Sequence, residues 1–264
     1  KVQVYDWKAI HAAIRELQPQ AVTAIMGNDV RWVGNEGGLG RKTEWSVNAF
    51  GPVSEDGALK QSEQLGLTEM SADMGSREVI AQAQQLYWYP SEVDVSIRPG
   101  WFYHAEQDSQ VRSLNNLIDI YYQSVGRNSV LLLNIPPDRR GLLHENDVER
   151  LTEFKSALDE IFDTNLVEPL KKTWKAESGD SMVFDVNGED MFGTFLISED
   201  ISKGQRVESF TVEALKDGEW ELIAEGTTIG YRRLLRFEKT AAEQIRVTIT
   251  STRAKANISA IGVY

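Results

Sequence analysis

Across residues 6–18, apolar Trp7, Ile10, Ile14 and Leu17 return at steps of three and four, with polar side chains between them and Pro19 beyond. That period predicts an amphipathic helix, and Asp6 stands where an N-cap carboxylate accepts the free N–H groups of the first turn. Residues 20–26 form a short apolar run of the buried-strand type. From Gly27 to about Ser76 the pattern lapses into a polar, Gly-rich stretch with no sustained period, and a loop of that length inside a compact domain is usually functional.

Periodicity resumes weakly as a helix over 76–87 and then sharply over 92–98, where Val93, Val95 and Ile97 alternate with Asp94, Ser96 and Arg98 before Pro99-Gly100. This is a strand with one polar face, which invites a site. Residues 109–124 set Val111, Leu114, Leu117, Ile118, Tyr121 and Tyr122 on a helical stripe closed by Gly126, residues 130–135 are a continuous apolar strand ended by Pro136-Pro137, and residues 145–163 predict another helix. Helices alternating with strands this apolar argue for parallel βα units. A closed (β/α)8 barrel takes eight strands and about 250 residues, so three strand candidates before residue 170 supply part of one. After Pro169 the texture changes to short alternating segments with turn signals such as Asn187-Gly188 and Asp217-Gly218. Those predict an antiparallel β-sandwich or jelly roll.

Composition narrows the function. The 264 residues hold 28 Lys plus Arg against 40 Asp plus Glu, a net charge of −12, which argues against a nucleic-acid surface or an anionic membrane surface and leaves room for a neutral small molecule or glycan. No apolar run is long enough to span a bilayer. Cysteine is absent, removing thiolate chemistry, and His11, His104 and His144 are too scattered to suggest a metal cluster.

Among groups able to do acid–base work, Glu36 sits in a Gly-rich run (Gly34, Asn35, Glu36, Gly37, Gly38) at what reads as a strand's C-terminal end, where barrel enzymes keep catalytic groups. Glycine flanks would let such a carboxyl swing, and Trp32 and Trp45 are candidates for the apolar wall that raises the pKa of a general acid. Composition alone reads Glu36 as a solvated loop glutamate, and Glu44, beside Trp45, competes directly with it, with Glu92 behind both. Arg31 has the fork to hold sugar oxygens or to orient a carboxylate, and equally reads as a structural ion pair with Asp29 or Glu36. Trp32 reads as core or as a sugar platform. Glu92, Asp94, Arg98, Trp101 and His104 lie in one short stretch that combines hydroxyl-binding groups with an aromatic face. Asn134 reads as an ordinary strand-end cap, and Arg127, Arg139 and Arg140 as surface or loop-anchoring groups. Trp174, Trp220 and Tyr231 read as core between two sheets.

Three segments, residues 28–38 (NDVRWVGNEGG), 88–104 (WYPSEVDVSIRPGWFYH) and 125–141 (VGRNSVLLLNIPPDRRG), resemble the α-L-fucosidases of glycoside hydrolase family 29, most closely the subgroup acting on α-1,3/1,4-linked fucose of branched glycans. The likeness runs through nearly the whole chain and is fainter after residue 168. It implies that residues 1–168 are the C-terminal portion of a catalytic (β/α)8-like barrel and residues 169–264 an accessory β-sandwich. It also implies a retaining mechanism, in which two carboxyls about 5–5.5 Å apart act as nucleophile and acid/base. The acid/base would be Glu36, with Glu44 as the alternative, and the nucleophile Asp would lie upstream of Lys1, so that this chain alone is incomplete. Substrate-binding groups would come from Arg31, Trp32, Glu92, Asp94, Arg98 and Trp101, with no metal and no cofactor. The implied partners are a fucosylated oligosaccharide or glycoconjugate and the N-terminal half of the same enzyme, in a secreted, periplasmic or lysosomal setting. The contrasting expectation is a non-catalytic glycan-binding protein on a degenerate glycosidase scaffold.

Overall fold

The structure, a computed structural model, describes residues 3–24 and 27–264. In chain order the first part runs α1 (Trp7–Leu17), β1 (Arg31–Trp32), β2 (Val47–Asn48), α2 (Ala58–Gln64), α3 (Arg77–Ile80), β3 (Tyr87–Trp88), β4 (Ser91–Ser96), a 3-10 turn at Ala105–Gln110, α4 (Leu114–Gln123), β5 (Val130–Asn134) and α5 (Glu145–Ile161). Strands β1, β4 and β5 form a parallel sheet in that order. Parallel pairing needs a crossover between neighbours, and α4 supplies the one from β4 to β5.

The alternation along β4 divides the sheet. Val95 and Ile97 are fully buried against Leu117 and Ile120 of α4, with Leu131, Leu133, Leu151 and Phe154 packed around them. Glu92, Asp94 and Ser96 point to the opposite face, in register with Val130, Leu132 and Asn134 of β5. On that second face Val130 and Leu132 remain 46% and 43% exposed. Ser113 caps α4 through a bond from Asn116 N, Ser124 closes its C-terminus, and Gly126 follows where a Cβ would meet Tyr122 O at 2.5 Å. Asp6 caps α1 as expected, accepting from Ala9 N at 3.0 Å, yet no residue of that helix is fully buried.

Three expectations are corrected. The sheet's edge strand is Arg31–Trp32, not 20–26, where Ala24 makes a single bridge to Val30 and residues 25–26 lie outside the described residues. Helix 76–87 shrinks to Arg77–Ile80 because the buried Gln61 side chain accepts the backbone N–H groups of Gln84 and Gln85 at 2.7 and 2.9 Å, bonds a helix would use internally. The 27–76 loop contains α2, whose buried face is Ala58, Gln61 and Ser62, too polar to register as an apolar period.

The second part holds β6 (Trp174–Ala176), β7 (Ser181–Asp185), β8 (Phe192–Glu199), β9 (Val207–Lys216), β10 (Glu219–Gly226), β11 (Arg233–Thr240), β12 (Gln244–Thr252) and β13 (Ala256–Val263). They make two four-stranded antiparallel sheets, β10-β9-β12-β7 and β11-β8-β13-β6. Phe210, Val212, Ile245 and Val247 of the first share one core with Phe195, Ile197, Ile258 and Ile261 of the second, and Val167 already joins it. Asp217-Gly218 joins β9 to β10 with positive φ at both residues, the mirror-image turn that matches strand twist. Trp174 packs on the shared core, but Trp220 and Tyr231 do not. Trp220 falls on the outer face beneath the Arg246 guanidinium, 4.3 Å from the ring centre, and Tyr231 donates its hydroxyl to Ser129 O in the first part at 2.8 Å.

Candidate active site

The polar face of the parallel sheet gathers the first group. β1 places Trp32 beside Glu92 in register, and its indole N–H donates to Asp94 Oδ1 at 2.8 Å. Burial raises the Asp94 carboxyl above the ordinary carboxylate range, the Trp32 bond draws it back, and the charge of Glu36 adds to the rise. Burial likewise raises Glu92, with the charge of Asp94 second. Two carboxyls beside an indole suit a site that binds a neutral polyol, since the carboxyl oxygens accept from hydroxyls and the ring covers an apolar face.

Glu36 lies exposed on the loop that leaves β1. The loop is knit rather than hinged: Gly37 N donates to Asn35 Oδ1 at 3.0 Å and Asn35 Nδ2 to Leu39 O at 2.9 Å. Gly34 and Gly38 have φ of +89° and +77°, and a Cβ on Gly38 would meet Ile120 at 2.9 Å. Those glycines serve backbone shape and close packing, which corrects the expectation of a swinging carboxyl. The indole that bonds Glu36 is also not one of the expected pair. Trp101 Nε1 donates to Glu36 Oε2 at 2.9 Å, while Trp32 serves Asp94 and Trp45 is buried with the Arg253 guanidinium 3.5 Å from its ring centre.

Glu44 and Arg31 meet each other instead of solvent. Arg31 is 1% exposed and Glu44 2%, joined by a guanidinium–carboxylate bond, with Arg41 Nη1 on the second oxygen of Glu44 at 3.3 Å. Arg31 Nε also donates to Tyr89 O at 3.0 Å, and burial, then the neighbouring Arg41 charge, push the Arg31 guanidinium down to about 9. Arg98 is enclosed as well. Its Nε reaches both oxygens of the buried Asp147 at 2.9 Å, its Nη1 reaches Asp108 at 2.7 Å, and its guanidinium lies over the Tyr103 ring. That ties the loop after β4 to the first turn of α5, whose cap is His144. Arg127 donates to Gly40 O at 2.9 Å, anchoring the far end of the Glu36 loop.

The structure therefore brings Trp32, Glu92, Asp94, Glu36 and Trp101 into one neighbourhood and sets Arg31, Glu44 and Arg98 behind it as buried ties. Asn134, which the sequence reads as an ordinary strand-end cap, takes a further part: its side chain donates to Ser96 Oγ at 3.0 Å and to Trp101 O at 3.2 Å. Its signal lay in the parallel register, which seats it opposite Ser96.

The family model described as Alpha-L-fucosidase matches residues 5–159. Alpha-L-fucosidase 1 of Arabidopsis thaliana is 36% identical over 292 residues, an alignment covering 98% of this chain and 54% of the relative. A crystal structure from Bacteroides ovatus, named for the same enzyme family, superposes with a TM-score of 0.96 at 52% identity, covering 100% of this chain and 45% of its own. A Ruminococcus gnavus GH29 fucosidase in complex with fucose gives a TM-score of 0.81 at 28% identity, covering 100% of this chain and 58% of its own. The chain thus spans about half the length of the curated relatives it matches.

Proposed function

The chain belongs to the alpha-L-fucosidase family, glycoside hydrolase family 29, and from that premise we propose that the complete protein is a retaining exo-α-L-fucosidase releasing terminal α-1,3/1,4-linked fucose from glycans. In this reading residues 1–168 are the C-terminal portion of a (β/α)8-like barrel and residues 169–264 a jelly-roll sandwich. A carboxylate from the part of the protein outside this chain attacks the anomeric carbon. As the glycosidic C–O bond breaks, Glu36 gives its proton to the departing oxygen. Glu36 then takes a proton from water, whose oxygen attacks the fucosyl ester, releasing fucose and restoring the nucleophile. Glu92, Asp94, Trp32 and Trp101 hold the sugar, and the apolar pair Val130 and Leu132 is covered by the remainder of the barrel.

The observation that carries this reading is the Trp101–Glu36 hydrogen bond, which holds a solvent-facing carboxyl beside the Asp94 cluster. Glu44 is the weaker candidate because two arginines already occupy its oxygens and solvent does not reach it. Arg31 and Arg98 serve here as ties for the site's framework, since each is buried with a carboxylate on its guanidinium, while Arg31 Nη1 and Arg98 Nη2 have no partner among the described residues.

The test is release of free fucose from a Lewis-type trisaccharide by the complete protein and by its Glu36→Gln variant. Loss of a general acid costs about 10²–10⁴-fold, and it should fall on the trisaccharide while sparing aryl fucosides whose leaving group needs no proton. Equal losses on both substrates would remove Glu36 from the acid's role. Absence of fucose release by the unaltered protein would favour the non-catalytic glycan-binding alternative.

A further inference from the structure

Asn134 does no capping within its own strand. Its backbone is pinned by the ladder, opposite Ser96 and accepting Ile97 N–H at 2.9 Å, and its two amide protons leave the strand for Ser96 Oγ and Trp101 O. Trp101 comes within reach because the chain turns at Gly100, where φ is +71° and only glycine is unstrained. From that anchored main chain the indole reaches Glu36 Oε2. The path is a continuous relay: strand β5, amide, loop carbonyl, indole, carboxyl.

We propose that Asn134 is a positioning residue for the acid/base, fixing the Trp101 main chain so that the indole N–H holds Glu36 Oε2 and leaves Oε1 as the oxygen that gives and takes the proton. The inference rests on the reading of Glu36 as that group. An indole nitrogen donates and never accepts, so it serves Oε2 in both protonation states of the carboxyl. A glutamate on an exposed loop otherwise samples several rotamers, and freezing such a side chain costs conformational entropy; the relay meets that cost before substrate arrives. Loosening the relay therefore lets the carboxyl leave the orientation in which Oε1 is free for the departing oxygen.

The experiment compares Asn134→Asp, which keeps the volume but removes both donors, Asn134→Ala, Trp101→Phe and Glu36→Gln in the complete protein. Each is assayed on a Lewis-type trisaccharide and on dinitrophenyl α-L-fucoside, with thermal midpoints recorded. Both Asn134 variants should lose about tenfold in kcat/KM on the trisaccharide, the value of roughly one hydrogen bond, and far less on the aryl fucoside. Trp101→Phe should repeat the pattern. Equal losses on the two substrates, beside a Glu36→Gln variant that does discriminate between them, would overturn the relay and leave the acid/base reading standing. A Glu36→Gln variant without that discrimination would overturn the acid/base reading itself, and the relay with it.

Discussion

At the scale of single residues, burial decides which of several similar-looking charges is free to do chemistry. Glu36 and Glu44 stand eight positions apart in one glycine-rich loop, yet Glu44 is enclosed between Arg31 and Arg41 while Glu36 faces solvent with one indole donor. Removing one partner of a buried pair leaves uncompensated charge and costs about 3–5 kcal/mol. Glu44→Gln should therefore lower the unfolding free energy of the complete protein, read from urea titration, by that order, and any activity it loses should be lost equally on natural glycans and aryl fucosides. A selective loss on natural glycans would exchange the roles of the two glutamates. The sequence showed both carboxylates and Arg31, but nothing in a linear pattern tells which pair closes on itself: Arg31 lies 13 residues before Glu44 and is fixed by the carbonyl of Tyr89 from 58 residues away, and Arg41, three residues before Glu44, looks no different from any loop arginine. The same holds for Arg98, whose partners Asp108 and Asp147 lie in the 3-10 turn and on α5.

At the scale of elements, segments with a strong apolar period were legible and those held by polar side chains were not. Strands β4 and β5 and helices α4 and α5 fall within a few residues of the spans their periodicity predicts, since each contributes apolar side chains to the packing between sheet and helices. Helices α2 and α3 were obscured because their contacts run through Gln61 and through ion pairs. α3 is fastened to the two-sheet part by Arg77, which donates to both oxygens of Glu208 at 2.7 and 2.9 Å, while Arg253 and Ser251 add further bonds. Led by the Arg77 bond, these donors hold the Glu208 carboxyl down at about 2 against its ordinary 4.5. A depressed carboxylate stabilises the fold above its unfolded pKa and loses that contribution as pH falls from 4.5 towards 2. The shift bounds the effect at about 3 kcal/mol, and the exposed Arg77 reduces it to about 1–2 kcal/mol by solvent screening. Glu208→Gln should accordingly destabilise the complete protein at pH 7, with the gap to the unaltered protein narrowing in urea titrations repeated below pH 4.5. A gap that stays constant with pH would show that the carboxylate's charge contributes nothing.

At the scale of the whole molecule, the two-sheet part reaches the loop behind the site through hydrogen bonds. The segment around Glu44 is pinned from across the structure: Thr228 Oγ1 accepts Glu44 N–H at 2.9 Å, Thr227 and Arg233 donate to Lys42 O, and Gln205 takes Ser46 N–H at 2.9 Å while giving its amide to Glu44 O at 2.8 Å. Asn128, from the loop before β5, closes the knot by donating to Glu44 O and Ser46 Oγ and accepting Tyr231 N–H. All of this sits behind the loop that presents Glu36, so the second part acts as a backing plate for the first. No hydrophobic period foretold it, because the contacts are amides and carbonyls from loops that look interchangeable in sequence. Gln205→Ala would strand the buried Ser46 N–H, at a cost of about 1–3 kcal/mol, and leave Glu44 O with the longer Asn128 bond at 3.3 Å. The expected outcome in the complete protein is a lower thermal midpoint together with reduced kcat on aryl and natural fucosides alike, because the whole loop shifts and not the proton alone. A detachable accessory module would give a different result: the midpoint of the second part would fall while turnover held, and the backing role would then be lost.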